Sequence, residues 1–147
     1  REPGRRVISE ATSRTMLDLM RLNVTSGTGT KADALGLRVG GKTGTATKLV
    51  KGHYVEGKNA ANLASFAAIF PTDAPFNADR YLVLIMLDEP KPVPADSGVT
   101  SGAFTSAPAA GRVIDRIAPF LGVRRVIVAT DLGAKPAADP TLGANER

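Results

Sequence analysis

Residues 36–43 read GLRVGGKT. Gly36, four intervening positions and then Gly41, Lys42 and Thr43 fit G-x-x-x-x-G-K-[ST], the pattern in which loop amides and a lysine cradle phosphates. Downstream, the apolar run YLVLIMLDE closes on Asp88 and Glu89, as the magnesium-holding strand of an ATPase would. The same lysine also opens a second short pattern, Lys42-Thr43-Gly44-Thr45, whose hydroxyls and lone ammonium suit a different chemistry. Its neighbours must decide between the two.

A phosphate loop needs a buried strand before it and a helix starting at its lysine, because the helix N-terminus and the loop amides together make the anion site. TKADAL precedes Gly36 and is too polar and alanine-rich for a central strand. GTATKLVKGHYVEG follows Thr43, placing glycines and β-branched residues where an amphipathic helix should begin. The phosphate pattern is therefore read as accidental. Asp88 and Glu89 then mark a buried strand that turns polar as it leaves its sheet. A P-loop NTPase stays as the alternative, and nucleotide binding through Lys42 would be its mark.

The elements around Lys42 can be read from periodicity. Ser9 is a candidate N-cap, and Met16, Leu17, Leu19, Met20 and Val24 follow at helical spacing, predicting a helix over 10–22. TSGTGTKADALG reads as a loop. From Leu37 the period becomes two, with Leu37, Val39, Gly41, Thr43, Thr45 and Thr47 on one strand face. Arg38, Gly40, Lys42, Gly44, Ala46 and Lys48 fall on the other. Glycines between 36 and 44 weaken this strand but let another backbone or a ligand come close. A hairpin with a long polar tip over 51–59 is expected next, carrying the solvated His53.

NLASFAAIF (62–70) and RYLVLIML (80–87) are continuous apolar runs of strand length, joined by PTDAPFNAD with hairpin chemistry. With the preceding strand they make an antiparallel meander. Residues 88–101 cross as a loop. Ala110, Val113, Ile114, Ile117 and Leu121 share one side of a helix over about 106–121, with Pro108 near its start and Gly122 beyond its end. Pro119 threatens its last turn. VIVA (126–129) suggests a short strand before a solvated tail. The fold class is α+β: an antiparallel sheet with a helix packed on it.

Bulk numbers narrow the function classes. Hydrophobic residues make up 43% of the 147 and charged residues 22%, which indicates one globular domain. The net charge is +5, but basic residues are scattered, and without tryptophan a stacking platform for nucleic acid is hard to build. No nucleic-acid partner is expected. Without cysteine and with only His53, neither a disulfide framework nor a metal site is expected, and no cofactor. No stretch reaches membrane-span length. The chain opens on Arg1 and reads as a piece of something longer.

Four stretches carry a resemblance: RRVISEATSRTMLDLM, TSGTGTKADALGLRVGGKTGTATK, the two apolar strands, and SAPAAGRVIDRIAPFLGV. In this order and spacing, from Arg5 to about Arg125, the chain resembles the C-terminal part of class B penicillin-binding proteins, nearest to the FtsI-like septal transpeptidases of cell division. The resemblance implies a partial penicillin-binding/β-lactamase-like fold, comprising the last three strands of a five-stranded sheet and the C-terminal helix. It assigns 1–125 to the transpeptidase domain and leaves 126–147 as an irregular extension.

It also implies roles. Lys42, Thr43, Gly44 and Thr45 fill the family's motif beside the cleft. Lys42 would place a cation there and steady hydroxyls in proton transfer. Thr43 and Thr45 would share one carboxylate, from a stem peptide or a β-lactam. Gly44 would leave room for the nucleophile, and the Thr45 N–H would be half of an oxyanion hole. The edge strand could take a peptide beside it.

A serine would attack the D-alanyl-D-alanine end of a peptidoglycan stem, D-alanine would leave, and a neighbouring amine would resolve the acyl-enzyme. Implied partners are stem peptides, β-lactams, the upstream part of the same protein and division proteins. The implied location is the periplasmic side of the bacterial inner membrane. The serine's S-x-x-K motif and the S-x-N motif do not occur in this chain. Alone, it is expected to be one wall of a cleft and inactive, with one sheet face wanting a cover. A β-lactamase or carboxypeptidase of the same fold, and a peptide-capturing module without chemistry, are the other readings.

Overall fold

The computed structural model describes residues 4–54, 61–75, 78–91 and 99–128. In chain order the elements are α1 (Glu10–Ser26), a 3-10 turn (Thr30–Ala32), β1 (Gly40–Thr47), β2 (Leu49–Val50), β3 (His53–Tyr54), β4 (Asn62–Phe70), β5 (Tyr81–Asp88) and α2 (Ser106–Ile117). No helix among the described residues is long and apolar enough to cross a membrane.

Ser9 caps α1: its hydroxyl accepts the Thr12 N–H at 3.1 Å. The helix runs four residues beyond the predicted Leu22, because nothing stops it until the glycines. The N–H groups of Gly27 and Gly29 both donate to the Asn23 carbonyl, at 2.9 and 3.1 Å, and turn the chain out of the helix.

β1 starts at Gly40, not at Leu37. Gly36 and Arg38 both take positive φ, 74° and 53°, so 36–38 form a twisted entry that still buries Leu37 and Val39 in the core. At Gly40 and Gly41 neighbours come too close for any side chain. A Cβ on Gly40 would stand 3.0 Å from the backbone nitrogen of Arg21 in α1, and one on Gly41 2.5 Å from the Ala67 carbonyl oxygen.

The main sheet has the order β1-β4-β5, antiparallel throughout, with Lys42 opposite Ala67 and Ala67 opposite Leu84. This register sorts the side chains. Phe66, Ala68 and Phe70 of β4 pack with Tyr81, Val83 and Ile85 of β5 against Ala107, Ala110 and Ile114 of α2. The opposite face is open: Leu82, Leu84 and Met86 are 73%, 55% and 55% exposed. Both strands read as apolar on two faces, and here one of those faces has no cover among the described residues.

β2 and β3 close around Lys51 and Gly52, both with positive φ, as a two-residue hairpin turn requires. His53 is exposed, and the rest of the predicted tip, like 92–98 of the crossing loop, lies outside the described residues. α2 ends at Ile117, before Pro119, rather than at Leu121. Val113 sits at its exposed rim instead of in the core. The strand predicted at 126–129 does not form over its described residues: 126–128 are irregular, and the Val126 N–H donates to the Gly36 carbonyl at 2.8 Å. The tail beyond 128 lies outside the described residues.

Gly41→Ala should lower unfolding stability by roughly 1–3 kcal/mol, since its Cβ would meet a carbonyl oxygen that cannot rotate away. Gly4→Ala, with nothing within 4 Å, should change nothing; chemical denaturation of both variants checks the contrast.

Candidate active site

β1 borders the sheet, so half of its backbone groups have no strand to pair with among the described residues. Which half follows from bonds at its end. The Lys48 N–H donates to the Ala61 carbonyl at 2.7 Å, continuing the β1–β4 ladder, so even-numbered residues of β1 face β4. In an antiparallel ladder the alternate residues then point their N–H and C=O groups outward. Gly41 obeys: its carbonyl accepts from Asn23 Nδ2 of α1 at 2.8 Å. Thr43 and Thr45 share this parity. The N–H of Thr45 is thereby aimed away from the sheet.

The side chains alternate in the other sense. Lys42 and Gly44 belong to the open face, and Thr43 and Thr45 to the face that packs towards α2. The exposed Lys42 side chain curls around the strand border, and its ammonium donates to the Thr43 carbonyl at 3.1 Å and the Thr43 hydroxyl at 3.2 Å. Cation and hydroxyl thus meet at the border although their Cβ atoms start on opposite faces.

Thr45 is fixed by a different neighbour. Its hydroxyl oxygen accepts the backbone N–H of Gly102 at 3.1 Å. That bond occupies a lone pair and leaves the hydroxyl proton free to be given elsewhere. Gly102 must be glycine to come this near: a Cβ there would stand 2.5 Å from the Ser65 carbonyl oxygen and 2.8 Å from that of Gly44. Gly44 is less tightly enclosed. Among the described residues only the Ser65 side chain comes within 4 Å of the position a Cβ would take, with its Oγ at 2.5 Å.

Ser65, Thr28, Asn23 and Gly102 were not singled out from the sequence. Thr28 approaches Thr43 hydroxyl to hydroxyl at 3.0 Å, and its own hydroxyl also donates to Asn23 Oδ1 at 3.2 Å. Ser65 had a faint signal, being the hydroxyl within an otherwise apolar strand run. The others act through the last turns of α1, a turn and a loop whose distance from β1 no periodicity encodes.

The phosphate-cradle alternative does not match this geometry. Residues 40–47 form one continuous strand, and the lysine lies within it rather than at the start of a helix. Asp88 and Glu89 hold a cation of the chain itself: both carboxylates accept from the Lys48 ammonium at 2.8 Å. The hydrogen bonds that Lys48 gives to Asp88 first, and then to Glu89, raise its pKa above the ordinary lysine value.

The sequence pattern of the penicillin binding protein transpeptidase domain matches residues 1–113. Over 130 residues the chain is 55% identical to a protein named probable peptidoglycan D,D-transpeptidase FtsI of Caulobacter vibrioides, covering 85% of this chain and 22% of that protein. It is 35% identical over 120 residues to stage V sporulation protein D of Bacillus subtilis, covering 82% of this chain and 17% of the other. The apo TP domain of Burkholderia pseudomallei penicillin-binding protein 3 superimposes with a TM-score of 0.65 at 31% identity, over 85% of this chain and 34% of that one. The chain spans about a fifth of the length of these curated relatives.

Gly44→Ala should cost less stability than Gly41→Ala, because the group it displaces is a rotatable hydroxyl. Ser65→Ala alongside it should remove most of the remaining cost. A double-mutant cycle on unfolding midpoints would show this as a coupling between the two positions.

Proposed function

The chain belongs to the penicillin-binding protein transpeptidase family, and from that premise we propose that it forms the Lys-Thr-Gly wall of a peptidoglycan D,D-transpeptidase whose serine lies in an upstream segment. The observation that carries this reading is the border of the sheet. There an ammonium, two threonine hydroxyls and the outward-pointing Thr45 N–H occur together along four consecutive residues.

Each group has a task in acyl transfer. The Thr45 N–H donates to the oxygen of the tetrahedral intermediate, where charge develops and a fixed donor is most effective. The carboxylate that ends a D-alanyl-D-alanine stem, or that of a β-lactam, is taken by the Thr43 and Thr45 hydroxyls, with Lys42 supplying the opposite charge. Gly44 leaves the approach of the serine unobstructed. The outward backbone groups of β1 not already bonded to Asn23 or Lys42 let the stem peptide lie alongside as an added strand.

The open face supports the same reading. Leu82, Leu84 and Met86 line it beside Ala67, in register with Lys42. An apolar surface of this kind marks a contact, and the upstream segment is its proposed occupant. The proposed setting is the periplasmic side of the bacterial inner membrane, in septal wall synthesis with division proteins, as the relative named FtsI suggests.

Labelled penicillin should mark the full-length protein. Lys42→Ala should reduce the acylation rate by on the order of a hundredfold, and Thr45→Pro, which removes the N–H, by as much or more. An unlabelled wild-type protein would end the proposal, as would a Lys42→Ala variant labelled at the wild-type rate.

The chain expressed alone should remain unlabelled and should self-associate through the open face in size-exclusion chromatography. Leu84→Lys should move it towards the monomer position. A wild-type monomer with native-like amide protection would show that this face needs no cover.

A further inference from the structure

We propose that Thr28 is a positioning residue, which presents the hydroxyl proton of Thr43 to the carboxylate of a ligand; this inference rests on the transpeptidase reading above. The argument starts at Asn23. Its amide nitrogen donates to the Gly41 carbonyl at 2.8 Å, so its amide oxygen faces the other way and can only accept. Thr28 fills that place, donating to Asn23 Oδ1 at 3.2 Å. With its proton engaged there, the Thr28 oxygen has lone pairs to offer, and the Thr43 hydroxyl lies 3.0 Å away to use one.

In this resting arrangement hydrogen bonds run in one direction. Lys42 donates to Thr43, Thr43 to Thr28, Thr28 to Asn23, and Asn23 to the Gly41 carbonyl. The proton of Thr43 is turned inward, away from any ligand.

A carboxylate at the strand border reverses two of these bonds. A hydroxyl oxygen has two lone pairs and one proton. If Thr28 rotates its proton from Asn23 to Thr43, both Thr43 lone pairs are filled, one by Thr28 and one by Lys42. The Thr43 proton then has one remaining direction, outward to the carboxylate. Two donors on the same oxygen also polarise that O–H and strengthen the bond it gives. Asn23 Oδ1 loses a long hydrogen bond in exchange for a charge-assisted one at the ligand. No bond other than hydrogen bonds is made or broken, and no proton leaves its oxygen.

The reach of Thr28 is confined to the carboxylate. Thr43 and its partners lie apart from the Thr45 N–H, which is held by the strand itself. Losing Thr28 should therefore weaken capture of the ligand without slowing the acylation that follows.

The test is the acylation of the full-length protein by penicillin, with progress curves resolved into the noncovalent dissociation constant and the limiting acylation rate. Thr28→Val, which keeps the shape and removes the hydroxyl, should raise the dissociation constant about five- to tenfold and leave the limiting rate unchanged. Thr28→Ser should restore wild-type values, and the thermal midpoints of all three proteins should agree. An unchanged dissociation constant in Thr28→Val, a limiting rate that falls with it, or a Thr28→Ser protein as weak as Thr28→Val would each overturn the inference while leaving the transpeptidase reading intact. A wild-type protein that is never acylated would end both.

Discussion

The phase of β1 against β4 fixes which side of the strand each residue serves, and the site has no existence apart from it. Because Lys48 and Ala61 are joined by a ladder bond, Lys42 and Gly44 turn their backbone groups inward, and Thr43 and Thr45 turn theirs out. A slip of one residue would exchange every assignment. It would carry Lys42 to the face that packs on α2, and spend the Thr45 N–H on the ladder. Three features hold the phase. Phe66, Ala68 and Phe70 are buried only in this register, Gly41 fits only beneath the Ala67 carbonyl and the Phe66 ring, and Asn23 reaches the Gly41 carbonyl only if it points outward.

The hydroxyls of Thr43 and Thr45 are held by polar bonds from two different parts of the chain, and the difference has consequences. Thr45 is held by a backbone N–H, at Gly102, which cannot change its role from donor to acceptor. Thr43 is held by a second hydroxyl, at Thr28, which can. One position is static and the other adaptable, although the residues are identical and two apart on the same strand face. Close packing of α1 and the 99–105 loop on β1 is what permits both contacts. It depends on glycine at 40 and 102, where any side chain would hold these neighbours off.

Much of this was legible from local pattern. The alternation from Leu37 assigned every β1 residue to its correct face, because a period of two survives errors about where a strand begins. It missed the start because Arg38 adopts a left-handed conformation that its residue type does not announce. The ends of α1 and α2 show the same contrast. Pro119 stopped α2 where its missing N–H demands, whereas α1 continued past the last apolar periodic residue until glycine amides could turn back on Asn23. The strands at 62–70 and 80–87 were visible as apolar runs, but which of their faces is covered depends on α2, which lies beyond both of them along the chain. Thr28 and Asn23 were invisible as site residues for the same reason: their partners lie 15 and 18 positions along the chain.

The uncovered face then links stability to chemistry. Lys42 stands in one transverse row with Ala67 and Leu84, at the border of an apolar field that runs out to β5. While that field faces water, the ammonium is fully screened and acts weakly on anything beside it. A body that covers Leu82, Leu84 and Met86 removes the water from one side of the row, and the same charge then acts through a medium of lower dielectric constant. The lysine already makes its hydrogen bonds to Thr43 with the face uncovered. The surface that makes the chain want a partner is therefore also the surface whose burial strengthens the electrostatics of its site. On the proposed reading, covering the open face and strengthening the field of Lys42 are a single event.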